Sequence, residues 1–178
     1  MSKLRRAAFC AFLVLGGQAH AQVESYVGVL SGAAEAPPNA SPGTGETTVT
    51  VDLTALTLRV DVQFSGLVAA NTAAHIHCCT MTPGAGTAAV ATQTPTFTGF
   101  PTGSTAGTYG RTFDLALSST YNASFITANG GTVSTAAAAL SSGIDAGRGY
   151  LNLHTGTFPG GEIRTFLLRR ERFVDGFE

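Results

Sequence analysis

Apolar and polar positions alternate strictly along residues 56–64 (LTLRVDVQF). Leu56, Leu58, Val60, Val62 and Phe64 fall on one face, and Thr57, Arg59, Asp61 and Gln63 on the other. A period of two sustained over nine residues predicts a half-buried β-strand. Residues 47–53 (TTVTVDL) carry the same alternation. Only Thr54 and Ala55 separate the two runs, which predicts a hairpin, although its turn lacks the usual Asn or Gly. Further strands are predicted over 24–30, 73–79, 107–117, 149–155 and 162–169. Residues 36–45 (APPNASPGTG) read as loop. Residues 80–106, rich in Thr, Pro, Gly and Ala, form an excursion of the length that carries function or local turns. Two helical patches interrupt the strands. One spans 119–128 and stops at Asn129-Gly130-Gly131; the other spans 132–142, holds four consecutive alanines and stops at Gly143. The fold class expected is therefore all-β: an antiparallel, Greek-key-like β-sandwich with one or two short helices inserted.

The first 21 residues break this pattern. Lys3, Arg5 and Arg6 precede a short apolar run, and Ala19-His20-Ala21 supplies a small-residue cleavage site. This is the layout of a secretory signal peptide. It divides the chain into a leader (1–21), one domain (22–170) and a short polar tail (171–178), and it predicts a secreted or periplasmic location. No stretch of 18 apolar residues occurs, so no membrane span is expected. The chain carries 10 basic and 11 acidic residues. Loss of the leader removes three of the basic ones and leaves a net charge of −4, which argues against nucleic acid as a partner. Any partner is an unknown extracytoplasmic one.

With Cys10 in the leader, the remaining cysteines are the adjacent Cys78 and Cys79. Three readings are open. They form a vicinal disulfide, which an oxidising compartment favours; they stay free thiols; or Cys79 ligates a metal. The remaining histidines are His75, His77 and His154. His75 and His77 share one strand face, Cys79 continues it by parity, and His154 shares a face with Asn152. Three imidazoles with Cys79 as a soft fourth ligand suit copper or zinc. The alternative is a structural polar cluster, with neutral imidazoles bonded to Asn152, Thr155 or Glu162. Glu162 and Arg164 also share a face. A strand ion pair is expected there, with a carboxylate serving a histidine as the other reading. No Ser-His-Asp order, phosphate loop or close acidic pair appears, so no reaction is legible.

Ala74-His75-Ile76-His77, then Tyr150-Leu151-Asn152-Leu153-His154-Thr155, then Phe158-Pro159-Gly160-Gly161-Glu162-Ile163-Arg164 closely resemble the paired motifs of the CHRD domain family, over roughly residues 24–168. The resemblance implies an extracytoplasmic β-sandwich module and no particular reaction. Where the family usually has Gly after its second motif histidine, this chain has Cys78 and Cys79, so Cys79 is not a family-wide ligand. A faint likeness to copper-zinc superoxide dismutases fails on the count of histidines. Two functions follow as expectations: a non-enzymatic binding or structural module of unknown ligand, or a copper- or zinc-binding protein or oxidoreductase using His75, His77 and His154.

Overall fold

A computed structural model describes residues 23–170; the expected leader and tail lie outside the described residues. The strands are β1 (Val23–Ser31), β2 (Thr44–Asp52), β3 (Thr57–Ser65), β4 (Asn71–His77), β5 (Gly107–Asp114), β6 (Tyr150–Thr155), β7 (Ile163–Phe166) and β8 (Leu168–Arg169). They pair antiparallel throughout, in the order β4-β6-β7-β1-β2-β3-β5, with β8 also on β1. The expected all-β antiparallel class is what forms. Its two layers are halves of one continuous sheet. The end strands β4 and β5 do not pair, yet Ile76 and Leu151 from one half share a core with Val60 and Phe113 from the other. A sheet can bury both halves in one core only by curling.

Leu58, Val60, Val62 and Phe64 point into that core as the alternation requires. Leu56 does not. The last β2–β3 pair is Asp52↔Thr57, so the turn has four residues rather than two, and Leu56 sits in it at φ 52° and exposed. An Asp52 carboxylate oxygen accepts from the backbone N–H groups of Thr54 and Ala55, both at 2.8 Å. That side chain does the work expected of an Asn-Gly turn.

The excursion after β4 covers that strand's outer edge. The carbonyls of Ile76 and Ala74 accept from the N–H groups of Ala91 and Phe97, while Cys78 N–H donates to the Ala89 carbonyl. Thr92 and Thr96 hydroxyls accept from the N–H groups of Ile76 and Ala74 at 3.0 and 2.9 Å. Thr-rich composition thus satisfies an edge that would otherwise stand open.

Helix α1 (Ala123–Ala128) starts later than expected, capped by Asn122, whose side chain accepts from Ser124 N–H at 3.0 Å. Helix α2 (Val133–Asp145) is capped by Thr132 and runs past the expected stop at Gly143, with the left-handed residue falling at Gly147 (φ 66°). Gly143 is needed for a different reason. A Cβ there would collide with both sulfurs of the Cys78–Cys79 pair. Gly143→Ala is therefore expected to cost about 1–3 kcal/mol by overpacking, instead of the gain Ala usually brings within a helix. A urea melt showing an unchanged or raised midpoint would contradict this packing.

Candidate functional site

The histidine face lies on β4 and β6. Register pairs His75 with Asn152, His77 with Tyr150 and Ala73 with His154, so the three histidines occupy neighbouring positions on one side of the sheet. The ring centroids lie 5.2 Å (His75–His154), 5.7 Å (His77–His154) and 5.8 Å (His75–His77) apart. One ring nitrogen of each lies within 4.8 Å of those of the other two. His75 and His77 are buried and His154 half-buried.

The expected partners Asn152, Thr155 and Glu162 do not bond the rings. Backbone carbonyls do, because two connections, β4–β5 and β6–β7, fold over this face. His75 Nε2 bonds the Pro95 carbonyl at 2.5 Å, His77 Nδ1 the Ala88 carbonyl at 3.0 Å, and His154 Nδ1 the Pro159 carbonyl at 3.0 Å. A carbonyl only accepts, so each of these nitrogens carries the proton. Burial pushes all three imidazoles below their ordinary range, His77 to about 4, and so favours the neutral form. The remaining lone pairs are on His75 Nδ1, His77 Nε2 and His154 Nε2. Each of these atoms is buried without a hydrogen-bond partner.

Cys79 is not part of this cluster. The strand ends at His77, so strand parity no longer carries Cys79 onto the histidine face. Cys78 and Cys79 are joined to each other by a disulfide, and Cys79 Sγ lies 3.7 Å from the Ala139 carbonyl of α2. Alkylation of denatured, unreduced protein is expected to leave both residues unlabelled. Two labels per chain would contradict the bond.

Glu162 and Arg164 do not form the expected ion pair. Arg164 reaches Glu35 instead, at 3.8 Å, with both side chains buried. It donates to the carbonyls of Ala34 and Gly86, and its guanidinium lies 4.8 Å from the centre of the Tyr150 ring. Tyr150 in turn stacks on His77 with centroids 4.8 Å apart. Glu162 is fully buried and receives neutral donors: the Ser41 hydroxyl at 2.6 Å, Val68 N–H at 2.7 Å and the Thr155 hydroxyl at 2.6 Å. The alternation places Glu162 and Arg164 on one face, but the loop carrying Glu35 folds between them and the outside. An isolated acid in Ala34-Glu35-Ala36-Pro37 was the available signal for that partner.

Burial also pushes Glu35 up to about 7, against the pull of Arg164 and hydrogen bonds from Ala36 and Asn152. Its pH effect opposes that of the histidines. His77 titrates lower folded than unfolded, so its contribution is present above pH 6.5 and drains away as pH falls towards 4. Glu35 titrates higher folded than unfolded, so its contribution is present below pH 4.5 and is lost as pH rises through 7. In a Glu35→Gln variant the histidine slope is no longer opposed by Glu35. Its melting temperature is expected to fall steadily from pH 6.5 to pH 4, and a flat profile would contradict buried neutral imidazoles.

The CHRD domain family profile matches residues 26–167. No curated protein and no solved structure matches the chain at a significant level.

Proposed function

The chain belongs to the CHRD domain family, and from that premise we propose that it is a secreted or periplasmic, non-enzymatic binding module that holds one copper or zinc ion through His75, His77 and His154. The observation that carries the reading is the set of three buried, unpartnered imidazole nitrogens. A buried polar atom without a partner is costly, and of the six such side-chain atoms among the described residues three are these neighbouring imidazole nitrogens. A polar cluster serving only the fold would have turned these nitrogens towards donors. Instead the opposite nitrogen of each ring is tied to a carbonyl, the arrangement that fixes the tautomer and aims the lone pair in metal-binding histidines. A bound ion with metal–nitrogen bonds of about 2.0–2.1 Å needs its nitrogens roughly 3.3–3.5 Å apart. One ring nitrogen of each histidine already lies within 4.8 Å of those of the other two, so side-chain movements of about an ångström would bring a nitrogen set to that spacing.

The extracytoplasmic location rests on the leader pattern of residues 1–21 and on the family. Among the described residues no helix is long and apolar enough to cross a membrane. Equilibrium dialysis of chelator-treated protein against copper or zinc tests the function. One ion per chain is expected for the wild type and none at that affinity for His75→Ala or His154→Ala. Failure of the folded wild type to retain either ion would leave the histidines as fold-specifying contacts.

A further inference from the structure

We infer that this site selects monovalent copper over divalent zinc. The inference rests on the three-histidine reading above and names the ion.

Charge favours the monovalent ion. The cluster contains three neutral imidazoles and, among the described residues, no carboxylate or thiolate. Its outer shell is neutral as well. Each histidine leans on a backbone carbonyl, from Pro95, Ala88 or Pro159, which adds no negative charge. The nearby formal charge is a cation: the Arg164 guanidinium lies on the Tyr150 ring, which itself lies on His77. Glu35 answers that charge only in part, since burial holds it protonated through much of the range below neutrality.

An ion entering here leaves water without meeting an anion. The cost of that transfer rises with the square of the charge, so a divalent ion incurs about four times the penalty of a monovalent one. Geometry points the same way. Copper(I) is satisfied by three nitrogen ligands in a plane. Zinc is almost always four-coordinate and must recruit a fourth ligand, usually water, into a site whose histidines are largely buried. The two cysteines that would otherwise attract copper(I) are sealed in a disulfide against α2, so sulfur is not the source of the selectivity.

The test is a competition on the whole mature chain. Apo protein receives one equivalent of copper(I) as its acetonitrile complex, under nitrogen and with no thiol reductant, so that the disulfide stays closed. It is then dialysed against about a hundredfold molar excess of zinc sulfate, and bound metals are counted by elemental analysis. The expected result is retention of copper at one per chain, with X-ray absorption showing nitrogen near 2.0 Å and no sulfur shell at about 2.3 Å. In His77→Ala the copper should be lost. Replacement by zinc, or retention through sulfur, would overturn the inference. Zinc binding that depends on the histidines would still leave the metal-site reading intact. If the folded chain takes up neither ion, both fall together.

Discussion

His77→Ala is expected to remove nearly all of the stabilisation that bound metal confers while changing the metal-free protein far less. A ligand that binds only the folded state stabilises it by about 4 kcal/mol when its free concentration is a thousand times the dissociation constant. For a domain of this size that corresponds to a melting shift of roughly 10 °C. The metal-free cost of the variant is smaller because opposing effects are present. The substitution loses the Tyr150 stack and one of the two donors on the Ala88 carbonyl, which keeps the Tyr150 hydroxyl at 3.2 Å, at a cost of about 1–3 kcal/mol. It also removes one of three unpartnered lone pairs crowded together, which returns part of that loss. Melts of wild type and variant, each with chelator and with copper, separate the two contributions. Equal shifts in both conditions would mean that the histidines serve the fold alone.

Glu162→Ala is expected to be strongly destabilising, by about 3–5 kcal/mol. Its carboxyl group gathers Ser41 from the β1–β2 connection, Val68 from the β3–β4 connection and Thr155 at the end of β6. Truncation takes the acceptor from the buried Thr155 hydroxyl and from two part-buried donors, Ser41 and Val68 N–H, and opens a cavity where the side chain is fully enclosed. Glu162 also neighbours the segment whose Pro159 carbonyl orients His154, so metal retention should weaken along with stability. Urea unfolding would measure the loss. A change below about 1 kcal/mol would contradict the role of this carboxyl group as a three-way tie.

The strands were legible because alternation is written residue by residue. The run from Leu58 to Phe64 reads directly as one buried face, and His75 with His77 reads as a pair on one side of β4. The convergence of His154 was legible only as parity plus a family spacing. The register Ala73↔His154 that brings it across is a property of the pairing, not of either segment. What the sequence could not express were contacts made by groups every residue has. The carbonyls of Ala88, Pro95 and Pro159 fix the three tautomers, yet no side chain announces them. Gly143 misled for a related reason. Glycine serves both helix ends and close approaches, and only the position of the disulfide distinguishes the two uses. Glu35 lies in a proline-containing loop with no periodicity to place it, yet it is the acid that Arg164 reaches.

The nitrogen-15 spectrum of the histidine rings, recorded before and after one equivalent of copper(I), tests the metal site most directly. The apo protein at pH 7 should show three neutral rings, each in a single tautomer: His75 protonated on Nε2, and His77 and His154 on Nδ1. On addition of the ion, His75 Nδ1, His77 Nε2 and His154 Nε2 should move together and saturate at one equivalent, while the protonated nitrogens keep their protons. A spectrum in which those three resonances stay in place, or in which the apo rings already exchange between tautomers, would contradict the account.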